Sequence, residues 1–162
     1  MGRRGATLLE LVLVMMVIFT LAAVVAPRFS DFFPALQLRG AANTLLATAG
    51  KARADAVLSG ARHRLVIDPA ARRFWIAYEP KPVKEPGTFE KLGGAWPEEE
   101  LPRDVLLESI NGFDTDKDAK RYVEFRADGG AKEASVVLAN ASGDRRALRI
   151  AAATGAMRIE TP

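Results

Sequence analysis

Across 162 residues the chain carries 23 Lys and Arg, 20 Asp and Glu, one His and no Cys, for a formal charge of +3. That length holds one domain plus an appendage, and the lack of cysteine excludes disulfides and thiolate metal sites. Setting Arg3 and Arg4 aside leaves 21 basic against 20 acidic residues, so there is no strong overall field and any anion site must be a local patch.

In chain order, a short basic stub (Met1 to Gly5) leads into a long apolar run. From Leu11 to Ala26 no residue is charged and only Thr20 is polar. As a helix, Ala6 to Ala26 would reach about 31 Å, the depth of a bilayer core. Several readings compete. A buried core helix rarely runs so long without a charge. A cleaved secretory signal could end at Val24-Val25-Ala26, but Pro27 follows and Glu10 interrupts its apolar stretch. A twin-arginine signal meets the same carboxylate, and its arginine pair stands almost at the terminus. A membrane anchor fits better, with Arg3 and Arg4 holding the N-terminus in the cytoplasm. A carboxylate at membrane depth is costly, so Glu10 either snorkels to the headgroups or meets a cation on a partner.

Gly5-Ala6-Thr7-Leu8-Leu9-Glu10 ahead of an apolar helix resembles the type IV prepilin motif of the pilin and pseudopilin superfamily. The resemblance implies cleavage by a prepilin peptidase between Gly5 and Ala6, with N-methylation of Ala6. It also implies that the apolar stretch stays as an inner-membrane anchor, and that Glu10 pairs with an adjacent subunit's N-terminus during filament assembly. Ala6 departs from the phenylalanine most usual at that position. The expected organisation is a leader over 1–5, a transmembrane and assembly helix over 6–27, and a periplasmic domain over 28–162.

Pro27 and Pro34 should bend or loosen the rod. The spacing predicts an amphipathic helix over about 35–59, ending at Gly60. Its inner face reads as Leu38, Leu45, Ala52 and Ala42, Ala49, Ala56, and its outer face as Arg39, Asn43, Lys51 and Arg53. From Arg62 the period changes to two. Strands are expected at 63–68, 74–78, 105–110, 122–126, 135–139, 147–151 and 157–160. The Pro- and Gly-rich stretch 79–102 reads as a long loop with little regular structure. The fold class is α+β: a long N-terminal helix packed on antiparallel sheet within a β-rich 62–162.

Leu101-Pro102-Arg103-Asp104-Val105, Phe125-Arg126-Ala127-Asp128-Gly129 and Thr154-Gly155-Ala156-Met157 resemble the H-type minor pseudopilin of type II secretion, a pattern shared by minor pilins of type IV pili. The first implies a subunit of a periplasmic pseudopilus that helps export folded proteins, with minor and major pseudopilins, the peptidase and inner-membrane lipid as partners. The second leaves open a pilus subunit that binds nucleic acid. Arg145, Arg146, Arg149 and Arg158 are the candidate anion patch for that alternative, though aromatic residues do not interleave with them.

No residue pattern nominates an enzyme, a cofactor or a metal. Asp114-Thr115-Asp116-Lys117-Asp118 opens like a calcium loop, but Ala119 stands where glycine is needed and Phe125 where a bidentate acid is needed. His63, between two arginines on an expected strand, has no sequence partner that would make it a base.

Overall fold

The computed structural model describes residues 7–30, 32–94 and 96–162, with the backbone alone for 23–30 and 32. Two helices come first, α1 (Leu8–Ser30) and α2 (Phe32–Ser59). Pro27 lies inside α1, where it removes one intrahelical hydrogen bond. Pro34 is in the first turn of α2, where its missing N–H would have had no intrahelical acceptor.

α2 is the spine of the domain. Leu38, Leu45, Ala52, Ala42, Ala49 and Ala56 are each 2% exposed or less, as their seven-residue spacing requires of one helix face. Alanine at four of the six keeps that face low, so the helix backbone can approach two sheets at once. One sheet contacts it through β1 (His63–Asp68), β2 (Arg73–Tyr78) and β7 (Arg121–Phe125). The other contacts it through β5 (Val105–Asn111), β8 (Ala134–Asn140), β9 (Arg145–Ile150) and β10 (Met157–Glu160).

The first sheet has the order β3-β2-β1-β7-β6, where β3 is Glu90–Lys91 and β6 is Asp114–Thr115, while β4 (Glu99–Glu100) also pairs with β2. The second has the order β10-β9-β8-β5, and every pairing in both sheets is antiparallel. Alternation then sorts the side chains. Leu65, Ile67, Phe74, Ile76, Val123 and Phe125 face α2 from the first sheet, and Val136, Leu138, Leu148 and Ile150 from the second, all in one buried cluster. The expected strands fall within a residue or two of those observed. The two-residue strands β3, β4 and β6 carry no alternation for a sequence reading to detect, and they form only as additions to sheet edges.

Arg53 departs from its expected place among the solvent-facing residues of α2. Its Nε donates to the carbonyls of Gly129 (3.0 Å) and Thr154 (3.1 Å), so one guanidinium ties the helix to two turns of the β region. Gly155 completes that junction at φ +61°, where an added Cβ would lie 2.3 Å from the Gly129 oxygen. Only glycine tolerates both the left-handed backbone and the close approach. Replacing Arg53 with Ala removes a charged donor from two carbonyls and is expected to cost about 2 kcal/mol, read as a lower midpoint in urea unfolding with the slope unchanged.

Candidate assembly surfaces

The first surface is α1 itself. Every described side chain from Thr7 to Ala22 is exposed, including twelve large apolar ones from Leu8 to Leu21. A hydrophobic surface of this extent all around a helix finds no cover among the described residues, and burying it takes an apolar environment beyond them. Among the described residues no helix is long and apolar enough to cross a membrane, and the described side chains of α1 end at Ala22. Gly5 and Ala6, the expected cleavage and methylation positions, and the leader before them lie outside the described residues.

Glu10 also has a local setting that its spacing from Thr7 encodes. Thr7 Oγ1 accepts the Glu10 N–H at 3.3 Å, and the Thr7 carbonyl accepts the Leu11 N–H at 3.1 Å. Thr7 is therefore the N-cap of α1, and Glu10 stands three residues on, the spacing of a capping box. Its carboxylate also lies in the first turn, where the helix dipole favours negative charge. The side chain itself is exposed.

The four arginines of the candidate anion patch divide. Arg149 and Arg158 are direct cross-strand neighbours on β9 and β10. They share Glu160 as counter-ion, each Nε lying 2.6 Å from a different carboxylate oxygen. Arg145, on the same outer face of β9, is bound by Glu108 at 2.7 Å and 3.0 Å. Arg146 points to the opposite face, next to the C-terminus, where it bonds the Thr161 hydroxyl. Adjacent strand residues face opposite sides of a sheet, so Arg145 and Arg146 take different partners, although both line one hollow at the start of β9 with Gly143, Asp144 and Thr161.

Aromatic and cationic groups do interleave, but on the first sheet. Its outer face forms a trough of about 600 Å³ floored by Val66, Trp75 and Tyr122. The Arg64 guanidinium lies 3.4 Å from the Phe89 ring centroid and 4.1 Å from that of Tyr122. Lys91 and Lys120 stand 5.2 Å and 5.8 Å from the Trp75 ring. Arg64 is paired to Glu124 at 2.8 Å, Lys120 to Asp118 at 2.9 Å, and Lys91 to Glu98. These residues come from stretches far apart in sequence and carried no joint signal.

Beside the trough, a buried carboxylate fastens the Pro-rich loop. Glu79 is 1% exposed, receives the Arg62 guanidinium at 2.8 Å and 2.5 Å, and accepts the Gly87 N–H at 2.6 Å. The Arg62 hydrogen bond holds the Glu79 carboxyl below its ordinary 4.5, against the opposing pull of burial. The same contact raises Arg62.

The remaining candidates have structural employment. Asp116 Oδ1 caps its own turn by accepting the N–H groups of Asp118 and Lys120, while Asp114 pairs with Lys132. Among the described residues no acidic or histidine cluster could hold a metal ion. His63 is buried on β1, with Nδ1 3.1 Å from the Ala61 carbonyl oxygen and its ring 6.0 Å from that of Tyr78.

The family profile described as Type II transport protein GspH matches residues 41–155, from the inner face of α2 to the glycine at the Arg53 junction. This chain belongs to the GspH family. The GspH match fits the α+β architecture, as do solved structures. The minor pseudopilin EpsH from the type 2 secretion system of Vibrio cholerae superposes with a TM-score of 0.61 at 13% identity, covering 78% of this chain and 98% of that one. Escherichia coli GspH gives 0.57 at 18% identity, over 78% and 89%. The type IV minor pilin FimU of Pseudomonas aeruginosa gives 0.50 at 17% identity, over 76% and 92%. At such identities the likeness is one of fold, and the fold is pilin-like. No curated protein sequence matches the chain.

Proposed function

We propose that this GspH-family chain is a minor pseudopilin of a type II secretion system, a structural subunit of a periplasmic filament that helps move folded proteins outward. The observation that carries the reading is a pilin-like domain joined to a helix whose described apolar side chains are all exposed. Such a helix needs lipid before assembly and the helices of other subunits after it. The peptidase cuts between Gly5 and Ala6 and methylates Ala6. Residues 6–27 then anchor the chain once through the inner membrane, and 28–162 stand in the periplasm. Glu10 is placed near the new N-terminus, where a neighbouring subunit's α-amino group can neutralise it. The work is mechanical, and its partners are other minor and major pseudopilins.

Mass spectrometry of the chain expressed with a prepilin peptidase tests the reading. The expected N-terminus is methylated Ala6; an intact Met1, or a start at Pro27, rules it out.

The ion pairs at Arg145, Arg149 and Arg158 weigh against the pilus alternative with nucleic-acid capture, because bound phosphate would have to displace carboxylates already in place. The full chain in detergent is expected to show at most weak retardation of DNA in a gel shift at about 0.15 M salt. Changing Arg145, Arg149 and Arg158 together to Ala should leave that result unaltered. Tight binding with a steep salt dependence, lost in the triple variant, would instead establish the alternative.

A further inference from the structure

The chain has three asparagines, Asn43, Asn111 and Asn140, and the fold treats them differently. Asn140 is 5% exposed and engaged at both ends of its amide. Its Nδ2 donates to Asp144 at 2.9 Å, and its Oδ1 accepts the Asp144 N–H at 2.8 Å. Asn43 lies inside α2, where the next residue, Thr44, is held in the helix and is β-branched. Asn111 is exposed and is followed by Gly112. Among the described residues, neither the Asn111 side-chain amide nor the Gly112 N–H makes a hydrogen bond. Asn111 is also the last paired residue of β5, an edge strand of the second sheet. Strand ends at a sheet edge open locally at the least cost in free energy.

These features leave Asn111 open to attack by its own backbone. We infer that Asn111 is a site of spontaneous deamidation in the folded chain. The Gly112 nitrogen gives its proton to base and bonds to the Asn111 Cγ, and the side-chain nitrogen leaves as ammonia. Glycine has no side chain to hinder that approach. Water then opens the cyclic imide. Breaking the new Cγ–N bond yields aspartate. Breaking the bond to the original backbone carbonyl yields isoaspartate, whose main chain is one carbon longer. The fold has no room for that carbon. Gly112 has φ +75° and passes so close to the start of β8 that an added Cβ would lie 2.1 Å from the Glu133 oxygen. Phe113 follows in the buried core, and β6 on the first sheet begins directly after it. Isoaspartate therefore lengthens the chain where it crosses from one sheet to the other. The inference goes beyond the filament-subunit reading and does not rest on it.

Full chain in detergent micelles is held for weeks at mildly alkaline pH, then digested in mild acid, where the reaction stops, and analysed by mass spectrometry. The expected result is an Asn111 peptide converted to the acid form as two separable isomers, to roughly ten times the extent at Asn43 and Asn140. Conversion no greater than at those two positions overturns the proposal. Asn111→Gln supplies the reference, because its longer side chain closes the corresponding ring far more slowly. After the same incubation, the native chain should unfold at lower urea than when fresh, while the Asn111→Gln chain should not change. An equal loss in both chains would overturn the role given to the crossing between the sheets.

Discussion

Replacing Glu79 with Gln should lower the stability of the sheet domain by about 2–3 kcal/mol, a large part of the 5–15 typical of a domain. Three hydrogen bonds converge on this buried carboxylate, two from Arg62 and one from Gly87. The amide keeps the volume but loses the charge and places an N–H₂ toward one of the donors. The loss is smaller than for a fully buried pair, because Arg62 is 38% exposed and keeps Glu124 at 3.3 Å. The pH dependence provides an independent check. Glu79 titrates lower in the folded state than its ordinary 4.5, so its contribution is complete above about pH 4.5 and declines as pH falls through the folded value. Urea unfolding at pH 7 and pH 3 should therefore show a wide gap between native chain and variant that narrows in acid. A gap independent of pH would mean that the carboxylate acts only by filling space.

Replacing Glu10 with Ala should reduce co-purification with sister subunits by about tenfold or more while leaving the chain in the membrane fraction. The capping-box spacing adds an alternative that a single substitution cannot separate, since alanine removes both the charge and an N3 side chain of the kind that can reach back to the N-cap N–H. Glutamine separates them. It satisfies the capping box as glutamate does, yet cannot neutralise an α-amino group. If the ion pair between subunits drives assembly, Glu10→Gln and Glu10→Ala are equally defective. Assembly of Glu10→Gln at the native level would assign the residue to capping alone. Circular dichroism of both variants in micelles gives the helix content against which the losses are judged.

Much of this was legible because it is local. The apolar run, the threonine three residues before Glu10, the seven-residue rows of α2 and the change to period two at Arg62 each depend on side chains a few positions apart. Secondary structure imposes those separations directly. The division of Arg145 from Arg146 was also present in the strand alternation, had it been applied to charge as it was to burial.

The sequence by itself determined the architecture, a hydrophobic rod continuing into an alanine-faced helix and antiparallel strands, because repeating patterns suffice to say which face of each element must be buried. Tertiary structure decided the employment of individual polar groups. Arg53 reaches carbonyls 76 and 101 residues away, Glu79 joins an arginine 17 residues before it to the Gly87 N–H of the loop, and Arg64 stacks on rings from two other segments. A charged side chain takes its role from whichever partner folding places within about 3 Å, and no periodicity in the chain encodes such a pairing.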